Sequence, residues 1–289
     1  MQATISETDL IINPDGSVYH LNLRPEDIAD TIITVGDPDR VGVVSKYFDK
    51  IEKQVSKREF VTHTGYLGNT RLSVISSGIG TDNVEILMNE LDALVNIDLA
   101  TRTPKSAHKR LNIIRIGTSG SLQKSIPVDS YVVSKRGIGF DALGHFYPTS
   151  TSDFSEAIQT QMNLDFLSYT SFGSQKLYDL LFDDKNPLYF EGNTVTCPGF
   201  YAPQGRILRY TPKQENLLQK FNQFSFQGNV LTNLEMETAG YYLFGEVLGH
   251  EVLSMSAIVA SRMSHQFSKN PEKHTESLIQ QVLEKITKQ

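Results

Sequence analysis

LNIIRIGTSGSL, Leu111–Leu122, is the stretch on which the reading of this chain turns. Leu111, Ile113, Ile114 and Ile116 form a short apolar run without helical spacing, the pattern of a strand buried on both faces. Gly117, Thr118, Ser119 and Gly120 follow, small residues that give a chain room to turn over the end of a sheet and that offer hydroxyl and backbone donors. Arg115 lies inside the run. An unpaired charge there is costly, so something anionic must face it, either an acidic neighbour or a bound anion.

Outward from this segment, Thr31–Val35, Arg71–Ser76, Ser130–Ser134 and Val252–Ala260 repeat the pattern: Val- and Ile-rich runs that end in Gly or small residues. Helical patterns lie between them. After Gly80, Asp82 is placed to cap a helix whose Val84, Leu87, Met88, Leu91 and Leu94 share one face. Pro271 opens a segment with Leu278, Val282, Leu283 and Ile286 at helical spacing, expected to be a surface helix. Strands alternating with helices predict an α/β protein with a largely parallel sheet. No repeat or Pro/Gly/Ser-rich linker divides the chain, so one domain over 1–289 is expected. The basic stretch Asp98–Arg110 and the mixed stretch Asp153–Gly192 read as surface excursions.

The 289 residues are 39% hydrophobic and 21% charged, with a formal net charge of −6. A chain of this size can bury a core without disulfides or structural metals. The acidic balance argues against a general nucleic-acid binder, so each Arg needs its own explanation. The one cysteine, Cys197, excludes an internal disulfide and fits a reducing compartment. No apolar run is long enough for a membrane helix, and the N-terminal stretch has neither the basic start nor the apolar run of a secretory signal, so a cytoplasmic location is expected.

Three further motifs carry chemistry. In TVGDPDRV, Thr34–Val41, a strand ends at Gly36 and Arg40 follows near a helix start, an arrangement that suits an anion as well as a plain strand-to-helix turn. In SKREF, Arg58 precedes Glu59, by itself a common surface pair. In NLEMETAG, Asn233–Gly240, Glu235 and Glu237 flank Met236 at the mouth of a helix. Capping explains one carboxylate. A second one suits the paired hydroxyls of a ribose, since a carboxylate accepts two hydroxyl hydrogens. The histidines show no Cys/His or HExxH ligand spacing, so no catalytic metal is expected. No G-x-G-x-x-G opens a helix after the first strand, which argues against a dinucleotide binder.

GDPDRV, KREF, SSGIG, RIGTSGSL and LEMET, in this order over most of Ser17–Met263, resemble the nucleoside phosphorylase superfamily, and most nearly its uridine-preferring branch. The resemblance implies a single α/β domain around a central twisted, mixed, partly barrel-like sheet flanked by helices. It also implies a homodimer, or a hexamer built from three dimers, with the site shared across the dimer interface. Carried over motif by motif, Gly36, Arg40, Arg115 and Thr118 bind inorganic phosphate as co-substrate, and Arg58 reaches the phosphate of the neighbouring subunit. SVYHLNL resembles the family's N-terminal segment, whose His meets the ribose 5′-hydroxyl from the partner chain; here that is His20. Met236 and Glu237 bind the ribose hydroxyls with Glu235 alongside. No organic cofactor is implied. A monovalent cation at the dimer interface, near Glu59 and Ile79, is.

The base is read from CPGFYAPQGRILRY, Cys197–Tyr210, which resembles the family's uridine-specific pattern of an aromatic residue followed by Gln-x-Arg. Phe200 stacks on the base. Gln204 matches uracil's N3–H and O2 on one edge, Arg206 donates toward O4, and Arg262 supports the pair. Purine enzymes of the family use a late-strand Asp to protonate the base, and no Asp or Glu stands between Glu251 and Glu272. The expected reaction is therefore phosphorolysis of uridine to uracil and ribose 1-phosphate, with Arg115, Thr118, Gln204, Arg206 and Glu237 at its centre. The alternatives are a purine nucleoside phosphorylase, a water-using nucleosidase and a non-catalytic nucleoside sensor. Two departures, GTDN at Gly80–Asn83 and Ser261 where Asn is usual, bear on substrate preference and assembly.

Overall fold

A computed structural model describes residues 4–288; the first three residues of the N-terminal stretch read above lie outside it. In chain order its strands are β1 (Thr31–Val35), β2 (Lys50–Lys57), β3 (Phe60–Leu67), β4 (Thr70–Ser76), β5 (Ile97–Asp98), β6 (Thr103–Pro104), β7 (Asn112–Ser121), β8 (Tyr131–Gly139), β9 (Tyr169–Phe172), β10 (Tyr189–Thr196), β11 (Ser225–Phe226), β12 (Asn229–Val230), β13 (Asn233–Glu235), β14 (Glu251–Ser261) and β15 (Gln266–Phe267). The helices are α1 (Asp39–Ser45), α2 (Thr81–Asn96), α3 (Asp153–Met162), α4 (Gln175–Leu181), α5 (Leu217–Gln223), α6 (Thr238–Leu248) and α7 (Pro271–Thr287).

Eleven strands join one sheet in the order β15-β14-β8-β10-β13-β7-β1-β4-β3-β2, with β9 beside β8 and a further pairing of β14 with β7. That extra pairing closes a ring through β14, β8, β10, β13 and β7, while β1 to β4 continue as an open twisted extension. Closure removes two edges that would otherwise present unpaired backbone groups. It is possible because β7 is long: its first half runs parallel to β1 and β14, and Gly120–Ser121 pair antiparallel with β13. The sheet is mixed as the resemblance implies, and less parallel than periodicity alone predicted. β2, β3 and β4 form an antiparallel meander, β14 runs antiparallel to β8, and β9 to β8.

Helices cover both faces. α1, α4 and α7 pack on one side around Val41, Leu177, Leu278 and Leu283, and α2 and α6 pack on the other around Leu87, Leu91, Tyr242 and Phe244. The apolar stripes expected on α2 and α7 are the buried ones. Burying each such Leu or Val contributes roughly 1.5–3 kcal/mol of transfer free energy. α3 and α5 enclose a third cluster with Phe140, Phe154 and Phe221.

Two expectations need correction. Asp82 does not cap α2: Gly80 is the N-cap residue, with φ of 97° and no side-chain cap, and Asp82 sits in the first turn. A left-handed residue at the turn is a glycine's place, and a carboxylate in the first turn still favours the helix dipole. Asp153–Gly192 is not a mere excursion either. It contributes β9, α4 and the start of β10, a strand held between β8 and β13. Its burial pattern is broken at Glu191 and Asn193, which hides the strand from periodicity. Asp98–Arg110 is largely exposed, as expected, and carries the small β5–β6 hairpin.

Candidate active site

The buried charge of β7 is met from β13 and the start of α6. The Arg115 guanidinium donates to Glu237, lies 3.1 Å from a Glu235 oxygen, and reaches Ser254 Oγ at 3.4 Å through Nη1. All three charged side chains are almost fully buried. Gly117 makes this possible: a Cβ there would stand 2.2 Å from Arg115 Nη1, so only glycine lets the guanidinium fold back over its own strand. Burial opposes the Arg115 charge, but Glu235 and Glu237 more than offset it and hold its pKa above the usual value. Burial pushes the Glu237 carboxyl up; Arg115 pulls against that and Glu235 adds to it. One guanidinium between two carboxylates leaves the cluster one negative charge in excess.

The two carboxylates have different work. Glu235 accepts from Thr196 Oγ1 at 2.7 Å and from the backbone N–H of Glu237 and Thr238 at 3.0 Å, capping α6 from within. Its lone pairs are largely occupied by these donors and by Arg115. Glu237 accepts the backbone N–H of Gly80 at 3.0 Å on one oxygen and Arg115 on the other. A carboxylate has room for further donors at both. Met236, between them, is half-buried.

Arg40 on α1 and Thr118 on β7 line one groove of about 570 Å³, together with Asp37 and residues of α7. The groove does not take in Arg115, Glu237 or Gln204, which lie deeper. Burial lowers the Arg40 pKa, with Asp37 opposing and the nearby charge of Arg115 reinforcing the shift. The turn amides are less available than its sequence promised: Asp39 N donates to Asp37 Oδ1 and Arg40 N to the Asp37 carbonyl. An anion here would therefore meet guanidinium and hydroxyl groups more than backbone. Gly36 ends β1 beside the Gly78 carbonyl, which a Cβ would meet at 3.5 Å.

A second group gathers on the loop after β10. Gln204 is buried; its Oε1 accepts from Arg206, and its backbone carbonyl accepts from Arg262 Nη1 at 3.1 Å. The Arg206 guanidinium lies 3.6 Å from the centre of the half-exposed Phe200 ring and also donates to the Phe200 carbonyl. Burial, with Arg262 adding to it, lowers Arg206 to about 10. The Phe200 face expected to stack on a base is thus covered by Arg206 here. This group joins the carboxylates through Cys197, whose N–H donates to the Glu235 carbonyl at 2.9 Å. Arg262 also packs toward Gly120 of β7.

His20 and Arg58 stand elsewhere, on a patch of their own. The His20 ring packs edge-on to Tyr19 at 4.8 Å, and the exposed Arg58 guanidinium lies 6.0 Å from the same ring. Arg58 takes φ of 55° at the turn between β2 and β3. Glu90 of α2 pins the segment, accepting His20 N at 2.9 Å, Leu21 N at 2.8 Å and His20 Nδ1 at 2.6 Å. The fold does not bring these two residues to Arg115.

Sequence reasoning missed several residues that hold the site. Thr196 links Glu235 to α6 by accepting Ala239 N at 2.8 Å, and the N–H of Gly80 meets Glu237. Asp141, just after β8, is a half-buried residue whose carboxyl pKa is raised by burial, and it accepts from Leu143 N at 2.9 Å and Tyr169 Oη at 3.0 Å. A hydroxyl or a backbone amide inside a strand end has no sequence signature; its role exists only once strands distant in the chain are adjacent. The fold also gathers Asp92, His108 and His250, which spacing could not reveal. His250 Nδ1 accepts the N–H of Leu111 at 3.2 Å, and its buried Nε2 faces Asp92 at 3.3 Å without a hydrogen bond.

Fold and site together define a class: an α/β protein with a partly closed barrel, a groove lined by Arg40 and Thr118, and a buried Arg115 met by Glu237. Residues 30–288 match the family model of the phosphorylase superfamily, and the chain belongs to that superfamily. It is 26% identical over 262 residues to a uridine phosphorylase of Thermococcus kodakarensis, covering 90% of this chain and 83% of that one. A DeoD-type purine nucleoside phosphorylase of Buchnera aphidicola is 24% identical over 273 residues, covering 93% and 99%. Among solved structures, a Trypanosoma brucei nucleoside phosphorylase with uridine phosphorylase activity superposes with a TM-score of 0.86 at 28% identity, covering 97% of this chain and all of that one.

Proposed function

We propose that this chain is a pentosyltransferase that splits uridine with inorganic phosphate, giving uracil and ribose 1-phosphate. The observation that carries the reading is the Phe200–Gln204–Arg206–Arg262 cluster, on the loop after Cys197, whose N–H donates to the backbone carbonyl of Glu235 two residues before Glu237. Phosphate is held by Arg40, Arg115, Thr118 and the Gly36 turn, with Arg58 reaching in from the partner subunit. Glu237 and Met236 hold the ribose 2′ and 3′ hydroxyls, and His20 from the partner meets the 5′ end. Phosphate oxygen attacks C1′ as the glycosidic bond lengthens, and the bonding pair moves onto uracil. Gln204 and Arg206 strengthen their donation as that charge grows, which is differential binding of the transition state. Arg206 swings off Phe200 to admit the base between them.

His20 and Arg58 stand together about Tyr19, with no recorded contact to their own chain's Arg115, which supports a homodimer, or a ring of dimers, with sites completed across the interface. The interface cation carried by the resemblance would draw on Glu59 and Ile79; the Ile79 carbonyl already accepts Asn83 Nδ2 at 3.3 Å, and no step depends on it. No described helix is long and apolar enough to cross a membrane, and with its single, buried cysteine we place the enzyme in the cytoplasm.

The purine reading has the DeoD-type relatives behind it, and against it a late strand without an acid to protonate a purine. Base release from uridine, thymidine, inosine and adenosine, each with and without phosphate, separates these readings. Phosphate-dependent release from uridine is the expected result. Release from inosine would discard the base assignment, release without phosphate would make the protein a nucleosidase, and none at all would leave a sensor.

A further inference from the structure

β8 carries a bulge. Gly192 of β10 pairs with Ser134 and Asn193 with Arg136, which leaves Lys135 without a partner in that ladder. A bulge re-aims side chains, and here Lys135 and Arg136, adjacent in sequence, line the same cavity of about 330 Å³. The wall opposite comes from Asp153–Gly192 and the β12 turn: Phe172, Gln175, Tyr178, Glu191 and Asn229. Two cations face one carboxylate, so the lining has one positive charge in excess.

The two cations differ. Lys135 Nζ is answered by Glu191 at 2.6 Å and rests 4.8 Å over the Tyr178 ring. Arg136 is answered by no carboxylate among the described residues. Its guanidinium lies against the rings of Phe154 at 4.1 Å and Phe172 at 4.9 Å, and its Nε and Nη1 are shut from solvent without a hydrogen-bond partner. Glu246, the nearby acid, is turned to the backbone N–H of Phe172 at 2.8 Å. Burial without compensation lowers the Arg136 pKa. Cation–π contacts with two rings offset part of that cost, but leave unmade hydrogen bonds of a charged donor, which are expensive. A guanidinium fork with unmade hydrogen bonds is the geometry that carboxylates and phosphates match. Gln175 and Asn193 each have one amide hydrogen spent, on Asp179 and Val230, and one left.

We propose that this cavity is a second anion site, in which Arg136 takes the oxyanion of a small phosphate- or carboxylate-bearing molecule, and that the Asp153–Gly192 segment exists in part to wall it. The site is separate from the phosphate residues of the proposed reaction and does not depend on that reading.

The chain has no tryptophan, so F172W places a single fluorescent reporter on the guanidinium while keeping an aromatic face there. Inorganic phosphate and citrate are titrated against F172W, F172W/R136Q, F172W/R136K and F172W/R40Q, with fluorescence as the readout. The expected result is a saturable response in F172W that survives R40Q and weakens roughly tenfold or more in R136Q, the loss of one charge-assisted contact. R136K, which keeps charge and stem but not the fork, weakens binding too and keeps the test decisive should R136Q not fold. A response to only one anion supports the site and names its oxyanion. A response that is unchanged in R136Q and R136K, or that vanishes in R40Q, overturns the proposal. So does no response to either anion, together with a change of assembly mass in R136Q, which would make the occupant a carboxylate of a second copy.

Discussion

Arg206 and Glu237 are residues on which the proposed chemistry depends, and each has a distinct failure. Arg206→Ala removes the donor that answers charge on the departing base, so kcat/KM for uridine is expected to fall about a hundredfold, the usual cost of one such donor at roughly 3 kcal/mol. Uridine phosphorolysis close to that of the parent would sink the base assignment. Glu237 must be a carboxylate to accept ribose hydroxyls, and burial raises its pKa above the ordinary range. Its deprotonation therefore completes later as pH rises, and the acid limb of the kcat/KM profile should lie above where an exposed Glu titrates. Glu237→Gln removes that limb along with most of the activity. Both residues stand out in their motifs. The hydrogen bonds of Glu235 do not, because a carboxylate two residues away looks equivalent until the strand pairing turns it onto Thr196 and the α6 amides.

At the scale of elements, the site hangs on how β7 and α6 meet. β7 brings a charge into the sheet, Gly117 lets that charge fold back, and α6 begins where Glu235 caps it. Gly117→Ala tests this directly. A methyl 2.2 Å from Arg115 Nη1 has to displace the guanidinium. The overpacking should cost about 1–3 kcal/mol in urea unfolding and raise the KM for phosphate. Unaltered stability and KM would mean that Arg115 has another place to go. β7, β14, α2 and α7 were visible in the sequence because their residues are apolar at the right period. β2, β3 and β10 were not: β2 carries Lys, Glu and Gln, β3 is broken by Thr, His and Gly, and β10 carries Glu and Asn and finds its partners far along the chain. β10 illustrates the reason, since its membership in the barrel is set by neighbours on both sides and not by its own pattern.

For the whole molecule, the proposed sharing of Arg58 between subunits makes a prediction about assembly. R58A and R115A subunits, each inactive alone, should regain activity when unfolded together and refolded as a mixture, because one site of each mixed dimer then draws intact residues from both chains. No recovery, with mixed assemblies shown to form, would mean that Arg58 serves no partner site. The hydrophobic patterning and the order of its motifs determined by themselves that this chain is an α/β protein of the phosphorylase superfamily, because burial of apolar surface and the small-residue turns at strand ends are written locally. Only the tertiary structure decided how β7 and β14 close a barrel, which of two neighbouring carboxylates turns onto Thr196 and the α6 amides, that Arg206 covers Phe200, and that a bulge leaves Arg136 unanswered. Each of these depends on which distant side chains share a low-dielectric space, where an unpaired charge or donor is costly, and that is a property of packing that no local stretch of sequence contains.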